Sequence, residues 1–499
     1  MLDQYASLNK LRRKVFEEVA RLAYEGGDYK RIEELPYMIC ASENDSQDIF
    51  LSRAIVAERL RLAIGLPVRN INEHEPVSKG IEEAVKTERF YEPPLVNVIK
   101  FACHRCPTES YFVTNVCQGC LAHPCQNVCP KKAISFVDGK SVINQDLCIK
   151  CGRCQASCPY GAILHRERPC AKACGINAIT SDELGRAEIN YDKCVSCGMC
   201  MVNCPFGAIA AKSQIFQVIQ ALKSDTPVYA IVAPAFVGQY GPKLNLKTID
   251  DAMEKLGFTG VKEVSIGADL CTIAEAEDFI KEVPDKLKFM ATSCCPAWSK
   301  MAKQEFPEFK DNISMALTPM VYTARLVKKQ NPNCKIVFIG PCAAKKLEAS
   351  RKSIRSDVDF VLTFEELEGM FIARGVDFNT LEERPLKNET TADGRGFAVA
   401  GGVAQAVVNA IEKLYPDKEV NVVSAQGLDN CYKMLKEAKT GKYNGYLLEG
   451  MACPMGCISG AGTIQSPTKA KAQIMMSQRE TPLKNSTETT FQERLKDLD

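Results

Sequence analysis

Sixteen cysteines fall between Cys103 and Cys204 of this 499-residue chain, and no apolar core needs so many thiols for packing alone. Their spacing is what most narrows the folds open to the chain. The N-terminus, MLDQYASLNKLRRKVFEE, carries charges through every turn and no apolar signal-like stretch, which reads as a cytoplasmic protein. In a reducing compartment, 25 cysteines are expected to bind metal rather than form disulfides. No run of 18 apolar residues is present, so a membrane span is not expected. A formal net charge of +2 offers no basic field for nucleic acid.

Two runs in this stretch match the bacterial ferredoxin pattern CxxCxxCxxxCP: Cys148, Cys151, Cys154 and Cys158 before Pro159, and Cys194, Cys197, Cys200 and Cys204 before Pro205. Three close thiolates grip one face of a 4Fe-4S cube, and the fourth, carried off by the proline turn, ligates a neighbouring cube. Zinc would prefer two separated CxxC pairs closing a tetrahedron. Two looser runs accompany them. One is Cys117, Cys120, Cys125 and Cys129 before Pro130; the other is Cys103 and Cys106 with the distant Cys170 and Cys174, whose segment RPCAKACGINAI echoes HPCQNVCPKKAI. Sixteen thiolates make four cubes. Crossed pairing joins Cys117, Cys120 and Cys125 with Cys158; Cys148, Cys151 and Cys154 with Cys129; Cys194, Cys197 and Cys200 with Cys174; and Cys103, Cys106 and Cys170 with Cys204. His104 and His123 are read as neighbours of the ligands, with substitution for a thiol the alternative. A row of such clusters conducts single electrons.

Around this segment the composition changes. Residues 1–95 carry amphipathic helical stretches and read as a helical packing or docking domain without chemistry of its own, ending at a break over Tyr91-Glu-Pro-Pro. Residues 96–210 form the ferredoxin-like domain. From 211 to 465, apolar runs (YAIVAPAF, KFMATS, KIVFIG, DFVLTF, VNVVSA, GYLLEG) alternate with helical patterns, the signature of an α/β domain with mainly parallel sheets. Thr363 and Glu366 read as a capping box. Residues 466–499 turn polar and read as a loosely packed tail.

Three strand ends in the α/β domain carry thiols: TSCCPAW from Thr292, GPCAAKKLEA from Gly340 and EGMACPMGCISGAG from Glu449. Ligands gather outside the carboxyl ends of parallel strands, so Cys295, Cys342, Cys453 and Cys457 can converge on a fifth cube. Cys453 and Cys457 would share a helix face if a helix follows the turn. Cys40, Cys271, Cys334 and Cys431 read as ordinary thiols.

The three loops closely resemble the cysteine signatures of the iron-only, or FeFe, hydrogenases, over about residues 213–465. The resemblance implies an oxidoreductase that reversibly reduces protons to dihydrogen. Its cofactor would be a 4Fe-4S cube on the four thiolates, bridged by Cys457 to a di-iron unit carrying carbon monoxide, cyanide and azadithiolate. It implies that Cys294 passes protons to the bridgehead amine, packing as a small apolar side chain being the alternative. Glu275, Asp278 and Ser314 match the family's proton relay, against a merely solvated acidic helix face. Lys345 matches a lysine that donates to cyanide, while Met451, Ala233 and Pro234 match residues lining the di-iron cavity. Gly340, Ala297 and the pair Pro454-Met455 depart from the family pattern. The partners implied are a ferredoxin-like one-electron carrier and maturation enzymes, in an anaerobic cytoplasm. A hydrogen sensor and a non-catalytic iron-sulfur assembly factor are the rival readings.

Overall fold

The computed structural model describes residues 6–40, 49–70, 72–86, 92–355 and 357–498; Tyr91, where the expected break begins, lies outside the described residues. All six apolar runs contain strands: Val228–Val232, Met290–Ala291, Lys335–Gly340, Phe360–Thr363, Asn421–Gln426 and Tyr446–Met451. A seventh, Gly260–Glu263, has the sequence GVKE, too short and polar to stand out as a strand.

The strands form two all-parallel sheets. One has four strands, with Val228–Val232 and Lys335–Gly340 central between Gly260–Glu263 and Phe360–Thr363. The other has three, with Tyr446–Met451 between Met290–Ala291 and Asn421–Gln426. Ile336–Gly340 and Leu447–Met451 are buried on both faces, as parallel strands covered by helices must be. The helix Phe364–Ala373 opens with the expected capping box of Thr363 and Glu366.

The ferredoxin-like segment is built of short antiparallel pairs, Ser110–Val113 with Ile163–Arg166, Ile134–Val137 with Lys140–Ile143, and Ile179–Ser181 with Ala187–Ile189. Its ends are tied by Val96–Val98 against Ile209–Ala211. These strands are only scaffolding between cysteine turns.

Two expectations need correction. The N-terminal segment is not a separate packing unit: Val15, Val19, Leu60 and Ile64 share one apolar core with Phe216, Ile219 and the four-stranded sheet. Helix Ala6–Glu25 passes so close to Phe364–Ala373 that a Cβ on Gly369 would stand 2.8 Å from Phe16. Periodicity shows an apolar stripe but not what will cover it. Nor are residues 466–498 loosely packed. Helix Pro467–Glu480 buries Ala470 and Ile474, the Ser486 hydroxyl donates to Asp269 at 2.9 Å, and Leu498 packs beside Ile266, Leu270 and Tyr322. Hydropathy reads this stretch as polar because it does not see buried hydrogen-bond partners.

Candidate functional site

The backbone repeats one turn at the first cysteine pair of each run in the ferredoxin-like segment. There the residue before the second cysteine is left-handed: Arg105 (φ 50°), Gly119 (57°), Lys150 (56°) and Ser196 (56°). Three residues after the fourth-type cysteine the same happens at Lys132 (48°), Gly161 (60°), Asn177 (50°) and Gly207 (57°), following Cys129, Cys158, Cys174 and Cys204. Left-handed backbone in a non-glycine residue costs roughly 1–2 kcal/mol and persists only where its surroundings demand it. The chain therefore curls alike around four centres, and the looser runs share the geometry of the strict ones. Amide groups point at the sulfurs: Ala133 N donates to Cys129 Sγ, Ala178 N to Cys174 Sγ and Ala187 N to Cys103 Sγ, each at 3.3 Å. Such donors stabilise thiolates that ligate metal.

The thiols fall into groups. Cys170 is pushed up to about 12, by burial first and then by Cys204, Cys103 and Cys106 around it. Cys197 is likewise pushed up to about 12 by burial, with Cys174 and Cys194 next to it, and Cys200 faces Cys197, Cys194 and Cys174. Cys125 Sγ lies 3.4 Å from Ser141 Oγ, and Cys117 takes hydrogen bonds from Ser141 as well, so these two share a wall. Cys129, Cys148, Cys154 and Cys158 pack with Cys125 in one cluster around Tyr111 and Ile134, while Cys151 is exposed. His104 stacks on Phe206 at 3.9 Å and His123 lies edge-on to Phe136 at 4.5 Å, each ring engaged with an aromatic neighbour.

Beyond these groups, the carboxyl ends of the two parallel sheets face each other across a cavity of about 80 Å³. Its wall brings together Cys294, Cys295, Cys342, Cys453, Cys457, Lys345, Met451, Ala233 and Pro234. Cys295 enters from the three-stranded sheet at the start of helix Pro296–Glu305, held by Trp298, whose Nε1 donates to Thr292 O at 2.9 Å. Cys342 follows Lys335–Gly340, one of the two central strands of the other sheet. Cys453 and Cys457 do not share a helix: the chain turns through Met455 (φ 64°) and Gly456 (φ 92°), and a 3-10 turn starts at Cys457. The thiols reach the cavity because Gly456 has no side chain, a Cβ there standing 2.5 Å from Ala400 N. Gly340, a departure from the family pattern, has its side-chain space filled by the Phe338 ring, 2.6 Å from a Cβ built there.

The wall is almost wholly apolar apart from the sulfurs and Lys345. Burial pushes the cavity thiols up, Cys342 to about 11, and repulsion from neighbouring thiols adds to it at Cys342, Cys453 and Cys457. The accessible surface of these thiols faces the cavity and not bulk water, so desolvation dominates. Four buried thiols that disfavour their own ionisation are a donor set suited to cationic iron, which would draw out the thiolates. Among the described residues, no three Cys, His, Asp or Glu close tightly enough for a single ion. Ligands at the corners of a cluster stand farther apart than that.

Cys294 and Met451 pack in one small cluster with Phe397 and Ala268. Cys294 is pushed well above the ordinary thiol range, by burial and then by Glu275. Glu275 in turn takes an amide hydrogen bond from Ser293 at 3.3 Å and has the Ser314 hydroxyl and then Asp278 beside it. Asp278 is half-buried at the outer end of this row. Burial would push the Lys345 ammonium down, but Glu348, 2.6 Å away, and the thiols Cys342 and Cys294 more than offset it. Glu348 also accepts from Thr318 Oγ1 at 2.6 Å.

Glu348 and Cys271 escaped the sequence reading as site residues, and Cys197, expected as a cluster ligand, has a second contact that was not foreseen. Glu348 lies one turn after Lys345, and helical spacing could have flagged it. Cys271 lies one turn before Glu275 and faces both it and Lys345. Cys197 lines the cavity and faces Cys342 and Cys453, which no local spacing reveals.

Residues 226–461 match the family "iron only hydrogenase large subunit, C-terminal domain", residues 187–210 the 4Fe-4S binding domain, and residues 116–167 the LdpA Fe-S cluster-binding domain. Iron hydrogenase 1 of Clostridium pasteurianum is 28% identical over 67% of this chain and 67% of its own. Cytosolic iron-sulfur assembly component 3 of Pongo abelii is 23% identical over 48% of this chain and 61% of its own. A solved FeFe-hydrogenase structure aligns with 57% of this chain and 94% of its own at 22% identity, with a TM-score of 0.49. The chain spans 56–67% of the length of the hydrogenases it matches. Among the described residues, no helix is long and apolar enough to cross a membrane.

Proposed function

Because this chain is an FeFe-hydrogenase-like protein with residues 226–461 in the iron-only hydrogenase large-subunit family, we propose that it catalyses the reversible reduction of protons to dihydrogen. The observation that carries this reading is the cavity in which four thiols from two sheets meet Cys294, with a buried acid behind it. When bound, a 4Fe-4S cube joined through Cys457 to a di-iron unit with carbon monoxide, cyanide and azadithiolate would supply the redox chemistry.

The chain's own residues hold, orient and feed that centre. Cys295, Cys342, Cys453 and Cys457 would hold it, and Lys345, held charged by Glu348, would donate to a cyanide. Met451, Ala233 and Pro234 shape an apolar wall that keeps water out. Cys294 Sγ holds a proton at the cavity face, and Glu275 and Ser314 pass protons between it and Asp278. Cys197, at the cavity wall beside Cys342, would be the contact between the cavity and the ferredoxin-like segment, whose thiols would hold four cubes as the crossed pairing assigns. Leu121, Ile149 and Lys150, exposed beside Cys120 and Cys151, suit the docking of a one-electron carrier of the ferredoxin kind. Maturation enzymes would build the di-iron unit in the cytoplasm of an anaerobe.

Hydrogen evolution from a reduced one-electron dye tests this, measured anaerobically on cube-reconstituted protein with and without synthetic di-iron cofactor. Evolution only with the cofactor, lost in Cys294→Ala, is the expected result. Bound cofactor without turnover would favour a hydrogen sensor, and failure to bind it an assembly factor.

A further inference from the structure

The helices before residue 95 end against a cluster turn and not merely against the α/β core. Helix Ile49–Ala63 packs Leu62 against Cys204, Ala208 and Ile99. Its Arg59 is 6% exposed and donates through Nη2 to the carbonyl of Gly207, in the left-handed turn that follows Cys204. That turn is pressed tightly by the helices: a Cβ on Gly207 would stand 2.4 Å from Leu8 and 2.5 Å from Arg59 Nη2.

Arg59 Nε is buried and has no hydrogen-bond partner among the described residues. Buried donors are ordinarily satisfied, and a guanidinium group has no acceptor capacity to exchange for the loss. Its charge is equally short of a dedicated counter-ion. Glu365, the nearby carboxylate, is 2.5 Å from Arg12, and Arg12 adds a second positive charge to the neighbourhood. Burial lowers Arg59 to about 10, so it stays charged at neutral pH, and the remaining acidic group facing it is Cys204. A buried cation is tolerated where an anion meets it. A cube on Cys103, Cys106, Cys170 and Cys204 brings both the anion and the sulfur acceptors to this place.

We propose that Arg59 is a positioning and tuning residue, donating a hydrogen bond and a buried positive charge to the cube of Cys103, Cys106, Cys170 and Cys204 and raising its reduction potential. A cation favours the more negative, reduced cube over the oxidised one. Cys170 faces Cys200, so this cube adjoins the one whose Cys197 lines the cavity, and its potential sets how readily electrons move between the two. The N-terminal segment thereby acquires a function in electron flow. The inference rests on the reading that these four thiolates hold a 4Fe-4S cube.

A paramagnetic-resonance redox titration of reconstituted holoprotein tests it, with iron and sulfide counted separately. Arg59→Met is expected to lower the reduction equilibrium of one cube about tenfold, a shift of 59 mV for a one-electron couple, and to leave the others unmoved. Arg59→Lys keeps the charge without Nε and should shift less. Glu365→Gln removes the competing carboxylate and should move the same signal the opposite way. Opposite shifts at full iron content support the proposal, because general damage would not reverse sign. Unmoved potentials, or shifts in one direction, overturn it. If Arg59→Met sheds its cube, Arg59→Lys and Glu365→Gln decide by the same signs. An iron count unchanged in Cys204→Ala would overturn the cube assignment and the proposal with it.

Discussion

Glu275 should titrate far from an ordinary glutamate. Its carboxyl is fully buried and takes one amide hydrogen bond, from Ser293, while Oε2 has no partner at bonding distance among the described residues. The Ser314 hydroxyl faces the carboxyl and favours ionisation, but burial, joined by Asp278 and Glu449, raises its pKa from 4.5 to about 7. At 1.36 kcal/mol per pH unit, this difference is worth about 3 kcal/mol. The folded pKa lies above the unfolded one, so the neutral acid is the favoured form. Its stabilisation is complete below about pH 4.5 and is lost as pH rises through about 7. Glu275→Gln, which stays neutral, should therefore gain about 3 kcal/mol of stability on the wild type between pH 4.5 and 8. Infrared difference spectra, wild type minus Glu275→Gln, should show a carboxylic C=O band vanishing with a midpoint near 7. Hydrogen evolution in Glu275→Gln should fall by about 10²-fold or more if the acid passes protons to Cys294. A band that titrates near 4.5, or a stability gap that is flat with pH, would refute the argument from burial.

Cys457→Ala should remove iron from the cavity and leave the ferredoxin-like cubes intact; an unchanged iron count would remove Cys457 from the ligand set. Lys345→Met leaves Glu348 as a buried charge without its cation and should cost about 3–5 kcal/mol, and Lys345→Met combined with Glu348→Gln should cost less, as denaturation of the two variants would show. Gly450→Ala places a Cβ 2.2 Å from the Trp298 ring, and overpacking of about 1–3 kcal/mol should lower the melting temperature. Ser486→Ala leaves the buried Asp269 one donor short and should destabilise by about 1–3 kcal/mol, a loss that a truly loose tail would not show.

The sequence by itself determined what depends on neighbours along the chain. Four thiols within eleven residues must curl around something, and the left-handed residues at Lys150 and Ser196 are that curl in the backbone. Alternating apolar runs and helical patterns sufficed for parallel sheets, and strand-end loops sufficed to point Cys295, Cys342, Cys453 and Cys457 at one place, because parallel strands present their carboxyl ends together. Tertiary structure alone decided what depends on groups far apart in sequence. Only packing brings Cys197 to Cys342, covers the stripe of helix Ala6–Glu25, seals Ser486 onto Asp269 and buries Arg59 Nε beside Cys204 without an acceptor among the described residues. Spacing along a chain encodes local geometry, whereas burial and charge at a site are set by whichever distant surface happens to close over it.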